Sequence, residues 1–458
     1  MEPFLLRFEE ITQGVKITDF SQKDEDYADD VEAMVEKEED FIMIDILFQE
    51  FEACSGAVLS RTNKSKVLGL GGWKERRIWP LTWLQTVLEL KIFGFQVLQT
   101  YQETLNRNWS TLVESIRNVI MSFQLRALDT LHQRVDCLKI YILSKLVYKA
   151  QALPLPGVYA AQFERIIFRF LWRGKLEKLA LQEIYNPPEE GGLGMVDIRT
   201  KADSLFIKQS CRILDEEGGR GRKHVKYWIG MYLGGYIPDL RPGPHSERVP
   251  PFYHHFRKLL EDAFIEELVN PEELEKVKVK NLYMEMTDTL PPPKVVYKYN
   301  LPWEDVWRRM NHPVLDVEMK ELMFLLVNNV LPTKERLLRM GMRQDALCEE
   351  GDGVEDREHL FCNCRRVQVA WAWMRRKMIN IHPVNGALSD LELLNLVFAG
   401  GFEIDLVWFI TNYISYVWNQ RVKKISNELN LEKLQFYLRQ ELKKNQRSQN
   451  RVSINFQI

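Results

Sequence analysis

Leu128, Leu131, Val135, Leu138 and Ile142 recur at spacings of 3, 4, 3 and 4. An α-helix gathers such a stripe on one face, and a strand would scatter it over both. The same spacing from Glu38 to Ala53 sets Phe41, Ile44, Leu47, Phe48 and Phe51 along one side of a second helix. That helix is expected to end at Ser55-Gly56, where glycine tolerates the left-handed closing residue. Further helices are predicted from Phe163 to Trp172, Asp316 to Val330 and Thr333 to Met340, the last two joined at Leu331-Pro332. Residues 387–458 read as helical with a basic end. Leu68 to Trp73 and Ile92 to Val97 are apolar runs punctuated by glycine, more in keeping with strands and turns. The chain is therefore expected to be mainly α, with its β structure confined to the first hundred residues.

At 458 residues the chain is too long for one ordinary domain. Its 45% hydrophobic and 28% charged residues are those of a folded protein rather than a disordered one. Six cysteines in this length cannot form a disulfide scaffold, so a reducing compartment is expected. Residues 1–12 lack the basic start and apolar core of a secretory signal. The most apolar stretch, Leu406 to Trp418, is interrupted by Thr411, Asn412 and Ser415 and falls short of the ~20 residues a membrane span requires. Expected, then, is an intracellular protein, nuclear or cytoplasmic, neither secreted nor transmembrane.

Charge is distributed unevenly. Residues 1–60 carry 17 acidic and 4 basic side chains, a net of −13 within a total of −2. Residues 101–180 hold 12 Lys/Arg against 6 Asp/Glu, and residues 421–458 hold 9 against 3. An acidic head on a basic body suits a cation site upstream and a polyanion surface downstream, or else an ordinary solvated exterior. Residues 186–194 (NPPEEGGLG) form a turn cluster. They match neither GxGxxG nor GxxxxGKS, so a structural turn is expected there rather than a phosphate cradle.

Tyr27-Ala28-Asp29-Asp30 places two adjacent carboxylates at a predicted hairpin tip, the oxygen donors that Mg²⁺ demands. The order of features that follows is specific. It runs through the helix to Ser55-Gly56, Asn63-Lys64-Ser65 and Lys91-Ile92-Phe93-Gly94-Phe95, then FRFLWRG at 168–174 and EGGLGMVD at 190–197. That series resembles LINE-type (non-LTR) retrotransposon reverse transcriptases, from the end of the palm through the thumb. The resemblance implies RNA-directed DNA polymerase chemistry. Asp29 would be the metal-binding carboxylate and Asp30 its weaker neighbour. Lys64 would protonate departing pyrophosphate, or is simply a surface lysine. The basic helices from Arg107 to Lys178 would grip an RNA or DNA primer–template through its phosphates, without sequence preference.

In this family the other catalytic carboxylate, the fingers and the nucleotide-gripping segment lie upstream of the part matched here. Asp24-Glu25-Asp26 also stands where the family has an apolar strand, and Glu32 interrupts the strand after the turn. The isolated chain is accordingly expected to be an inactive polymerase remnant, with a domesticated, non-catalytic nucleic-acid-binding protein as the alternative.

Near the C-terminus Cys348, His359, Cys362 and Cys364 fall within 17 residues. With Leu331-Pro332-Thr333 and His359-Leu360-Phe361 they resemble the zinc-knuckle-like segment found after the thumb in such elements. Cys348, His359 and Cys364 match its ligand positions, but Gly351 stands where the second cysteine belongs. Cys362 is the remaining substitute. Since zinc needs about four donors, a metal-free packed loop is the expected state. Trp303, Trp307, Trp371, Trp373 and Trp408 are expected in the core rather than stacked on bases.

The organisation anticipated is a truncated palm at 1–100 and a thumb-like helical domain at 101–180. A connector with Pro-rich linkers follows at 181–302, then a helical region with the degenerate knuckle at 303–386, and a helical segment with a basic tail at 387–458.

Overall fold

The computed structural model describes residues 2–17, 20–22, 24–27, 30–61, 64–124, 130–174, 179–240, 249–288, 290–398, 403–424 and 429–447. The protein is mainly helical, and its strands are short and paired two by two. It divides into two compact units, Met1–Glu114 with Lys223–Lys258, and Ser115–Arg222 with Leu259–Ile458.

In the first unit, helix Glu2–Ile11 lies against helix Glu38–Ser55. Phe4 and Phe8 bury themselves against Ile44 and Leu47, with Phe48 and Phe51 closing the cluster. The Asp40 carboxylate is buried at the start of the second helix and accepts the Gln13 backbone N–H at 2.9 Å. Gly56 closes that helix in the left-handed region (φ 73) and donates to the Glu52 carbonyl, as its position predicts. Two hairpins lie between the helices, Val15–Ile17 with Phe20–Gln22 and Asp24–Tyr27 with Asp30–Ala33.

The second hairpin sets Tyr27 opposite Asp30 and Glu25 opposite Glu32. Two-stranded ribbons of this length are marginal in water on their own. Ile92 and Phe93 do not continue one strand. Glu89–Ile92 turns through Phe93 (φ 45) and Gly94 (φ 81) into Phe95–Leu98, the paired positive angles of a tight hairpin. Buried Asn108 then exchanges two hydrogen bonds with the Gln96 backbone, at 3.0 and 2.7 Å, tying the hairpin to helix Tyr101–Gln124.

The second unit is a helical assembly. Helix Leu131–Cys137 opens on a reciprocal Thr130–Gln133 cap. It passes through a wider π turn, Leu138–Ile142, into helix Leu143–Ala152. Leu131, Val135, Leu138 and Ile142 are all buried, so the stripe faces the core; Leu128 lies outside the described residues. Pro154-Leu155-Pro156 breaks the chain, and the next helix starts at once, at Gly157 rather than Phe163. Helix Ile198–Asp215 packs along Leu143–Ala152. Arg134, nearly buried, donates to the Leu171 carbonyl at 2.8 Å and lies 3.8 Å from Glu321.

Asp316 and Thr333 cap helices Val317–Val327 and Lys334–Arg339. Helix Glu403–Val422, apolar on nearly every side, is the centre on which the last helices pack. Trp307, Trp371 and Trp408 are core residues, while Trp303 and Trp373 are half-buried. Among the described residues no helix is long and apolar enough to cross a membrane.

Candidate metal centre

Helix Lys334–Arg339 is followed by Gly341 in the left-handed region (φ 69), and the chain then folds into a small closed loop. Leu347 and Val354 pair as an isolated antiparallel bridge, and Glu355 N–H donates to the Ala346 carbonyl at 2.8 Å. Inside this bridge the Cys348 N–H donates to the Gly353 carbonyl, and the Gly351 N–H donates back to the Cys348 carbonyl at 3.0 Å. The turn requires φ 70 at Gly351. A cysteine there would be strained, so the position that lacks the expected thiol is one the local backbone reserves for glycine.

The next residue restores the donor. Cys348 Sγ, a carboxylate oxygen of Asp352, a His359 ring nitrogen and Cys364 Sγ all lie within 4.8 Å of one another. The two sulfurs are 3.4 Å apart, and His359 Nε2 is 3.0 Å from Asp352 Oδ1. Zinc held tetrahedrally at about 2.3 Å from sulfur and about 2.0 Å from nitrogen or oxygen separates two sulfurs by about 3.8 Å and two lighter donors by about 3.3 Å. The sulfur–sulfur and nitrogen–oxygen spacings are slightly shorter than these values, and the widest spacing in the group reaches 4.8 Å. Small adjustments would close this set of donors on one ion. His359 Nε2 is buried and satisfies no hydrogen bond, because its approach to Asp352 is close but misdirected. A buried ring nitrogen left without a partner is costly, and a shared cation would satisfy it.

Each donor is positioned from behind. Arg365 N–H donates to Asp352 Oδ2 at 2.6 Å, and this bond is the main reason the carboxyl is held below its usual range. It leaves Oδ1 facing the cluster. His359 begins the π turn His359–Asn363, its own N–H held by Asp356 Oδ1 at 2.7 Å. Gly353 lets the imidazole lie close, since a Cβ there would stand 3.1 Å from Nδ1 and Cε1. Cys364 N–H donates to the His359 carbonyl at 2.8 Å, and burial pushes the Cys364 thiol up to about 12. Cys362 is buried but lies outside the cluster, so it is not the substitute ligand. The three matched positions Cys348, His359 and Cys364 come together, and Asp352 is the member that spacing to Gly351 had concealed.

A partly buried ion pair, with its carboxylate inside, braces the loop. Glu355 Oε1 accepts from the Lys334 backbone N–H at 3.0 Å and from Arg421 Nε at 3.0 Å, joining the loop to helix Glu403–Val422. Lys334 Nζ donates to the Leu347 carbonyl at 3.0 Å, and Tyr413 Oη to the Phe361 carbonyl at 2.7 Å. Removing one partner of such a pair strands the other in a dry setting, at a cost of about 3 kcal/mol. Arg421→Ala is therefore expected to lower the thermal midpoint and to hasten loss of metal to a chelator. Unchanged stripping kinetics would show that the brace does not support the loop.

The polymerase-like positions are less defined. Asp29 lies outside the described residues. Asp30 begins the strand Asp30–Ala33 at the hairpin end, and its side chain is not described. Lys64 is an exposed turn residue. Among the described residues, the cluster at Cys348 is the one group of His, Cys, Asp and Glu close enough to share a metal.

Residues 278–371 match the protein family described as zinc-binding in reverse transcriptase, a span that includes all four donors. No curated protein matches the chain. The match supports a reverse-transcriptase-related protein, and together with the four-donor cluster it points to zinc.

Proposed function

We propose that this chain is a nucleic-acid-binding protein derived from a LINE-type reverse transcriptase, built around a structural zinc held by Cys348, Asp352, His359 and Cys364. The observation that carries the reading is the convergence of those four donors inside the segment that matches the reverse-transcriptase zinc-binding family. All four positions of a zinc tetrahedron are filled by protein, which is the arrangement of a structural rather than a catalytic site. The metal's contribution is to cross-link a loop that has little apolar core of its own. Asp352 gives it two sulfurs, one nitrogen and one oxygen, a donor set that zinc accepts.

Copying is not part of this reading. Two-metal nucleotidyl transfer requires several carboxylates converging on two ions, and Asp29 and Asp30 come from a single turn. Nothing in residues 1–458 that the family resemblance identifies supplies the rest. The purified chain is expected to leave a primer unextended on an RNA template with either Mg²⁺ or Mn²⁺. It is expected to retard the same primer–template in a native gel at low salt, with affinity falling steeply as salt rises. Incorporation that vanishes in Asp29→Ala would overturn the non-catalytic reading. Failure to bind any nucleic acid at low salt would overturn the binding one.

A further inference from the structure

Gly351 decides how many oxidisable donors the metal cluster can hold. Its backbone, at φ 70, excludes a cysteine, and the donor comes instead from Asp352, whose carboxylate has no redox chemistry. Two thiol donors remain, Cys348 Sγ and Cys364 Sγ, 3.4 Å apart. Sulfurs at that distance touch, and closing them into a bond of ~2.05 Å asks for a movement of about 1.4 Å.

The surroundings suit that movement. Cys348 N–H donates to the Gly353 carbonyl and Cys364 N–H to the His359 carbonyl, both at 2.8 Å, which holds the two sulfurs in register. Cys348 is half-buried and Cys364 is buried behind it. A dissolved oxidant therefore meets Cys348 first, while Cys364 is sheltered from a second oxidant. Of the other four cysteines, Cys362 is buried outside the cluster, Cys137 and Cys211 are buried, and Cys54 is exposed. With no third thiol in the cluster, oxidation has one product available.

We infer that Cys348 and Cys364 are a redox-sensitive pair, which a hydroperoxide converts to a disulfide with release of the zinc. This rests on the structural-zinc reading above and deepens it by giving that site a regulation. The Cys348 thiolate attacks one peroxide oxygen and the O–O bond breaks. A sulfenic acid forms, and the departing hydroxide takes up a proton to become water. The Cys364 thiolate then attacks the Cys348 sulfur, the S–S bond forms, and a second hydroxide leaves and is protonated to water. Two thiolates lose two electrons, hydrogen peroxide gains them, and Zn²⁺ departs with its charge unchanged. Asp352 and His359 are then the only donors left in the cluster, too few for the tetrahedron of about four that zinc requires. The disulfide closes the same loop that the metal closed, so the oxidised chain stays folded and reduction with added zinc restores it.

The test treats the zinc-loaded full chain with hydrogen peroxide and follows free zinc with a chromogenic chelator, beside intact mass and peptide mapping. One zinc should be freed per chain, in step with the loss of two hydrogens and the appearance of a linked Cys348–Cys364 peptide. Dithiothreitol with zinc should reverse both changes. Cys362→Ser and Cys54→Ser should release zinc at the wild-type rate, since neither sulfur belongs to the pair. Cys348→His keeps a donor that zinc accepts but removes the disulfide partner, so it should hold its zinc through a dose of peroxide that empties the wild type. Release from that variant at the wild-type rate would overturn the inference. The wild-type peptide map decides independently of any variant. Zinc freed while Cys348 carries a sulfinic acid and Cys364 stays free, or a link made through Cys362, would overturn the pair. So would zinc retained while Cys54 is oxidised. A chain that holds no zinc before peroxide is added would sink the structural-zinc reading itself, and this inference with it.

Discussion

Cys364→Ser is expected to lose one stoichiometric zinc ion and to lower the melting midpoint by many degrees. The wild-type chain should show the same fall when treated with a chelator. Two sulfurs 3.4 Å apart and a buried imidazole nitrogen without a hydrogen bond are donors that a single cation would satisfy together. Structural zinc contributes on the order of 10 kcal/mol to small metal-folded modules. Part of that should survive here, because the Glu355–Arg421 pair and the Tyr413 hydroxyl also hold the loop. A destabilisation of roughly half that size is the expectation. Binding must displace the proton of a Cys364 thiol that burial has pushed up to about 12, so zinc affinity should fall as pH is lowered. Asp352→Ala should weaken binding further than Cys362→Ser, which should do nothing to the metal. Native mass spectrometry with parallel melting curves decides the matter. A metal-free wild-type chain whose midpoint ignores chelators would return the loop to an ordinary packed one.

What could be read in advance follows from how local each signal is. The helix containing Phe41, Ile44 and Leu47 and its glycine stop depend on neighbours within four residues and formed where the spacing placed them. The helices read from Asp316 and Thr333 formed with those two residues as caps, the first ending at Val327 rather than Val330. The π turn at Leu138–Ile142 was invisible, because one extra residue per turn leaves the 3 and 4 spacing of apolar positions intact. The hairpin at Phe93-Gly94 was hidden in an apolar run whose only mark was a single glycine. At the metal centre three donors were legible as residue types with a family spacing. Asp352 was not, since the chain holds 64 acidic residues and nothing local distinguishes the one that faces a histidine. Its selection is a tertiary fact, made by Arg365 N–H thirteen residues away.

Gly192→Ala is expected to destabilise the second unit by about 4 kcal/mol or more, in the range reserved for steric clash at a packed backbone. The run NPPEEGGLG has the composition of a phosphate-cradling loop, but its amides are already committed. Gly191 N–H donates to the Pro188 carbonyl, Gly192 N–H to Pro187 and Gly194 N–H to Asn186, at 3.2, 3.0 and 2.8 Å. Spent donors cannot hold a phosphate, so the glycines serve close packing. A Cβ at Gly192 would stand 1.9 Å from the Asn186 carbonyl oxygen, and that carbonyl cannot retreat. Asn186 is 1% exposed and its side chain donates to the Pro291 carbonyl at 3.1 Å. At Gly191 the obstacle is the buried Trp307 ring, 2.5 Å away, and φ 85 adds its own penalty. Gly351→Ala supplies the contrast, because φ 70 is unfavourable there but no atom lies within 4 Å, so about 1 kcal/mol is the expected loss. Urea titrations of the two variants should differ accordingly. A Gly192→Ala chain within 1 kcal/mol of wild type would mean that the turn can open away from Asn186, and its amides would then be free to meet a ligand after all.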